Sequence, residues 1–124
     1  MSISNYAELK MLEHATGKTS WTMPTTLYVK LHLGDGGEDG TSNAASNTLR
    51  KALTWATAAT GSIATTGSPS AEWTSIATAE TYSHWSLWDA LTAGNCIWTG
   101  SLSSTAAVTV GDTFQITTLT LTLD

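Results

Sequence analysis

From Leu27 to Leu33 the chain alternates strictly: Leu27, Val29, Leu31 and Leu33 are apolar, and Tyr28, Lys30 and His32 stand between them. A period of two sends the first set to one face and the second to the other, which predicts a strand with one buried face. The same vocabulary of Thr, Val, Ile and Trp recurs downstream and suits a pleated, half-buried surface. It predicts strands over residues 49–58, 62–66, 82–88, 96–102, 106–110 and 113–123. "GDGGEDG", "GSPS", "TAGN" and "VGD" supply the turns between them. Many short strands at this spacing read as an all-β antiparallel sandwich, jelly-roll-like, or as a partly open barrel.

The last strand carries an internal conflict. Phe114 and Ile116 share one parity, whereas Leu119, Leu121 and Leu123 share the other. Both sets reach one core only if a bulge sits near Thr117 or Thr118, or if the strand leaves one sheet there and enters another.

Ahead of the strands, "NYAELKMLEHATG" predicts the single helix. Asn5 is placed to cap it, Glu8 to act as the reciprocal capping residue, and Gly17 to stop it in a left-handed turn. Tyr6, Leu9 and Leu12 fall on one side, widened by Met11 and Ala15 and interrupted by Glu13. Two readings follow: the helix packs on its own domain, or it is an arm that docks on a neighbour. The whole is read as one domain, 1–124, with residues 1–17 as the arm and 18–124 as the sandwich.

Composition changes this picture in one respect. Of the 124 residues only 12 % are charged, so the polar surface is mostly Thr and Ser. A weakly charged surface suits a protein packed against neighbours. The 41 % hydrophobic content with six tryptophans is enough for a core. A net charge of −5, with five scattered basic residues, argues against a nucleic-acid partner. The lone Cys96 excludes an intrachain disulfide. No apolar run approaches the ~18 residues of a membrane helix, and no signal-peptide pattern opens the chain. Assembly in a cytoplasm, without membrane contact, is the expectation.

Candidate chemistry is sparse. Asp35, Glu38 and Asp39 decorate a glycine-rich turn, but no later acid completes a calcium loop, so no metal is expected there. His14, His32 and His84 have no His or Cys partner at metal-ligand spacing. Ser83–His84 lacks a nucleophile elbow, and no glycine loop cradles a phosphate. The reading is therefore no catalytic residue, no metal and no cofactor. The tryptophans are the most informative residues, since aromatic rings fill cores and also anchor interfaces. If "HWSLWDA" is extended, Trp85 and Trp88 lie on opposite faces and at least one can face a partner. The candidate partner interface is therefore Tyr6, Leu9, Leu12, Trp85 and Trp88.

Taken in order, "SNYAELKMLEHATGK", "LYVKLHLGDGGEDGTSN", "AEWTSIATAETYSHWSLWDALTAGNCIWTGSL" and "VTVGDTFQITTLTLTLD" resemble a family of small bacteriophage virion proteins labelled tail-fibre or minor structural proteins. The match spans nearly the whole chain through short motifs. It is carried by Trp73, Trp88, Asp89, Ala90, Gly94, Trp98, Gly100, Leu102, Gly111, Asp112 and Asp124. In the middle, the family's Tyr-x-Arg strand is replaced by "NTLRKALTW", where only Arg50 matches. The resemblance implies a helical start, an acidic turn, a strand led by Trp73, a Trp-Asp-Ala hairpin and a role as a non-enzymatic virion structural protein.

Its place on the particle is a separate question. The chain has no repeat and no heptads of the kind that build long fibres. A compact, lightly charged sandwich suits a cement or decoration subunit on the head lattice, with the major capsid protein as partner and a homo-oligomer, a trimer, as its expected state. A tail-fibre or minor tail component, with tail proteins as partners, is the first alternative. A carbohydrate-binding sandwich module, which also uses exposed tryptophans, is the second.

Overall fold

The computed structural model describes residues 1–123; Asp124, one of the positions carrying the resemblance, lies outside the described residues. The chain runs β1 (Ser2–Ile3), α1 (Asn5–Ala15), β2 (Leu27–His32), β3 (Lys51–Leu53), β4 (Ser62–Ala64), β5 (Ala71–Trp73), β6 (Glu80–Trp88), β7 (Cys96–Val108), β8 (Phe114–Ile116) and β9 (Thr120–Thr122). Every strand pairing is antiparallel. The fold is an all-β sandwich with one short helix, as its alternating segments predict.

The main sheet has the order β1-β7-β6-β2-β3, and two ribbons, β4-β9 and β5-β8, complete the sandwich. A Trp55–Thr65 bridge, flanked by Ala56 N–H to Ala64 C=O and Thr66 N–H to Thr54 C=O, joins the end of β3 to the start of the ribbons. The main sheet is thus linked to the β4-β9 ribbon. No backbone hydrogen bond joins β7 to β8 or β9 among the described residues.

Register decides which side chains meet inside. Val29 pairs with Leu87, Leu31 with Trp85, and Leu87 with Trp98, so a row of large apolar groups crosses the inner face. Trp73, Tyr82, Ile116, Leu119 and Leu121 pack against this row from the ribbons and strand ends. Trp73 is 1 % exposed, and its indole N–H donates to the Leu49 carbonyl at 2.8 Å, so its one polar atom is satisfied inside the core. On the outer face Tyr28, Lys30 and His32 lie opposite Trp88, Ser86 and His84.

Several expectations are refined by these pairings. The conflict of parity near Thr117 resolves as a change of partner: β8 pairs with β5, and β9 with β4. Ile116, Leu119 and Leu121 are consequently all buried despite their opposite parities, whereas Leu123 is exposed beyond the last pairing. Leu33, expected on the buried face, is exposed too, because the chain turns away after His32. The two strands expected over 96–102 and 106–110 are a single strand, β7. Residues 102–105 arch outward from it opposite Ser83 alone, between the pairs His84–Ser101 and Tyr82–Ala106. The strand expected over 49–58 is only three residues long, since the backbone beyond Thr54 is already engaged by residues 64–66.

Candidate partner interface

The helix is set in place by the residues just before it. β1 adds to the edge of β7 through Ser2–Thr99 and Ile3–Trp98, and Ser4 then leaves the sheet with φ −72° and ψ 155°. The Ser4 N–H donates to the Ile97 carbonyl, its hydroxyl donates to the Cys96 carbonyl, and the same oxygen accepts from the Ala7 N–H at 3.1 Å. Ser4 is therefore the N-cap, where Asn5 was expected. The Ser4 N–H that a reciprocal glutamate would take is already used by Ile97, and Glu8 falls one position past the reciprocal site. The other end follows expectation. Gly17, at φ +74°, donates to His14, and Lys18 donates to Glu13, which together close a Schellman stop.

This anchoring fixes which side of α1 faces inward. Ala7 is fully buried, and its small side chain lets the helix lie close to β7. The predicted apolar side points mostly outward: Leu9 is 64 % and Leu12 65 % exposed, with Met11 also exposed between them. Tyr6 is half-buried, meeting the Trp21 ring edge-on at 6.3 Å. The Trp21 N–H donates to His14 Nδ1 at 3.1 Å, which folds the segment after the helix back along it. Trp21, together with the exposed Met23, extends the apolar surface of α1, a contribution the sequence signalled only as an uncharged stretch before Pro24.

Trp85 and Trp88 lie on opposite faces of β6, as alternation requires, but both are buried in the chain itself. Trp85 faces the core, its ring lying where a Cβ on Gly100 would stand and its indole N–H donating to the Ser101 carbonyl. Trp88 points to the outer face and is sealed there. The Arg50 guanidinium stacks on its ring at 4.1 Å, the Lys30 ammonium stands 5.6 Å away, and its indole N–H donates to Ser86 Oγ at 2.7 Å. Strand parity could not reveal this cover, because Arg50 and the acidic loop arrive from distant parts of the sequence. Of the five expected contact residues, Leu9 and Leu12 are freely presented, Tyr6 is half-covered, and the two tryptophans are buried except for small parts that line clefts.

The polar groups nearby hold structure. His32 is fully buried; its Nδ1 donates to the Ser42 carbonyl at 2.8 Å, and its Nε2 accepts from Ser86 Oγ at 2.7 Å. That chain of bonds fits the neutral ring. Burial lowers the His32 pKa below the ordinary value; Lys30 and His84 act in the same direction, against the Ser42 bond and Asp35. The acidic loop uses its carboxylates on itself. Asp35 accepts from Gly37 N–H, and Asp39 accepts from both Thr41 N–H and Thr41 Oγ1, which holds the Asp39 carboxyl below its usual range. The turn that opens β7 is braced from within and from outside: Asp89 accepts from Asn95, and Arg50 donates to the carbonyls of Ala90 and Ala93. Burial raises the Cys96 thiol to about 11, so it is a packed, unreactive group.

Ser83 Oγ and His84 Nδ1 are 2.8 Å apart, a contact between strand neighbours with no carboxylate bonded to the ring among the described residues. No group of three His, Cys, Asp or Glu side chains converges among them either, and no helix is long and apolar enough to cross a membrane.

The positions that carry the bacteriophage resemblance now have physical roles: Trp73 fills the core, Trp88 and Asp89 brace a turn, Gly100 makes room for an indole, and Asp112 accepts from Thr109 to close the turn before β8. They are the signature of a scaffold. No curated protein sequence matches the chain. The model of the family described as Podophage GP4 fiber I protein gp80 matches residues 2–124, from β1 through every strand of the sandwich, and the chain belongs to that family.

Proposed function

We propose that this protein is a non-enzymatic building block of the phage fibre assembly, attached to its neighbours through the outward face of α1. The observation that carries the reading is the exposure of Leu9 and Leu12 on a helix whose start is fixed rigidly to the sheet. Nothing in the chain's own packing requires two leucines there. An amphipathic helix with an i, i+3 apolar pair turned to solvent is the form in which helices enter apolar grooves on partners. The family description supports a fibre, and the scaffold roles of the shared positions support a structural part.

A second reading, a cement subunit on the head lattice contacting the major capsid protein, is favoured by one observation. The described chain is compact, with one short helix and no extended shaft. The two readings separate on position. Density for this protein in a cryo-EM map of the intact particle is expected at the fibres; density spread over the head surface would give the function to the cement reading. Labelling at neither place would remove the virion role.

A further inference from the structure

A cleft of about 550 Å3 opens between β7 and the run from Phe114 to Thr120. One bank is the arch of β7, residues 102–105, which has no strand partner on either side among the described residues. The other bank is the run from Phe114 to Thr120, whose one strand partner is the β4–β5 segment behind it. Trp85, Phe114, Ile116 and Leu119 supply apolar side chains to the cleft lining, beside the serines and threonines of the two banks. Neither bank carries a charge or a proline: the sequences are "SLSSTAA" and "FQITTLT". Sheet edges exposed in monomers are normally protected by lysine, proline or short length, because an open edge recruits another strand. β1 already shows the edge of β7 accepting a strand, and Met1, just before it, lies at the mouth of the cleft.

We propose that this cleft is a strand-acceptor slot, and that it is filled by residues 19–23 of a second copy of the chain. The slot calls for a short, extended, uncharged segment with large apolar groups at alternate positions. "TSWTM" matches that description: Trp21 and Met23 fall on one side, and Ser20 and Thr22 on the other. The segment belongs to no strand in its own chain and is mostly exposed, Met23 at 54 %; its hold on α1, through the Trp21–Tyr6 edge contact and the bonds of Thr19 N–H to Glu13 and Trp21 N–H to His14, is given up in the exchange. Pro24 then ends the pairing, since it has no N–H to offer a ladder. Trp21 and Met23 cover the apolar side chains of the lining while the backbone pairs with the two banks, the mode by which extended peptides complete open sheets.

Donor and acceptor are different surfaces of one chain, so the contact is heterologous and propagates head to tail. It closes into a ring, a trimer among the possibilities, or continues as a filament, according to the rotation per step. This inference does not depend on where the protein sits on the particle.

The test uses the full chain and two variants in sedimentation-velocity runs across the micromolar range. Wild type is expected to self-associate. Trp21→Asp with Met23→Asp removes the donor, and Ser103→Pro blocks a bank of the acceptor; each variant alone is expected to be monomeric with the circular dichroism of the wild type. Mixed, they should form a one-to-one pair that grows no further, because one intact donor meets one intact slot. A monomeric wild type overturns the proposal. So does an oligomer that survives the donor variant, since that would mean symmetric edge pairing or another surface. If Ser103→Pro disturbs the fold, Ser103→Lys serves as the acceptor variant. In addition, Met23→Cys in one chain should cross-link to Ser103→Cys in another under mild oxidation, and failure of that bond to form in a self-associated sample also counts against the slot.

Discussion

α1 and β6 make opposite use of their apolar residues. On β6, Trp85 and Trp88 point to opposite faces and both are buried, one by the core and one by Arg50 and the acidic loop. On α1, Leu9 and Leu12 lie on the predicted apolar side and are left in water, while the buried contact is made by an alanine. Size and hydrophobicity alone would have assigned the roles the other way round. What decides is anchoring: Ser4 fixes the rotation of the helix before any leucine can turn inward. The strand has no such freedom, because ladder register fixes every side chain. The difference separates residues that make the fold from residues left available to a neighbour.

That separation can be broken most forcefully in the core. Replacing Trp73 by Ala removes a filled volume and leaves the Leu49 carbonyl without its donor, so a loss of about 3–5 kcal/mol is expected in urea unfolding. A loss below ~1 kcal/mol would mean the ribbons do not depend on that indole. Next in size is the turn. Gly94 has φ +76°, and a Cβ there would collide with the Asp89 carboxylate and Ala90. Gly94→Ala should cost at least the ~1–3 kcal/mol of a strained backbone, read as a lower unfolding midpoint. An unchanged midpoint would show that the Asp89–Asn95 brace is dispensable.

A smaller, conditional effect concerns His32. Its folded pKa lies below the unfolded value of about 6.5. The unfolded chain therefore binds more protons between those two values, and stability must fall as pH drops through that window. The His32 contribution is complete above about pH 6.5 and is lost progressively below it, ahead of the carboxylate range where Asp39 follows. Urea midpoints compared at pH 7.5 and 5.5 should show the decline, and His32→Gln should flatten it. An equally steep decline in that variant would assign the effect to other groups. The smallest effect belongs to the helix: Leu9→Ser with Leu12→Ser should change stability by no more than about 0.5 kcal/mol per site. A larger loss would place these leucines in the fold after all.

Local pattern made much of this architecture legible. The strict alternation from Leu27 placed β2 and its buried face, and the parity conflict at Thr117 located the exchange of partners between β8 and β9. The stop at Gly17 was also legible, because a left-handed glycine closes a helix by local bonds alone. What stayed hidden depended on residues far apart in sequence. β1 is two residues long and exists only because β7 offers an edge. The strand at Trp73 came from the family resemblance, its three residues being too few for a periodic signal. The candidate interface was half legible for the same reason. Composition singled out the apolar groups, but only the Ser4 anchor and the Arg50 stack determine which of them water can reach.

The central claim is that the outward face of α1 attaches the protein to its particle while the buried aromatics only maintain the sandwich. Deleting the first residues would also remove β1 and Ser4, so point substitutions are the cleaner probe. Particles assembled with Leu9→Asp, Leu12→Asp protein in place of wild type should be purified and their content of this chain quantified, beside the melting temperature of the free variant. The account predicts a free protein that melts as wild type does and particles largely depleted of it. Normal incorporation of the folded double variant would contradict the account.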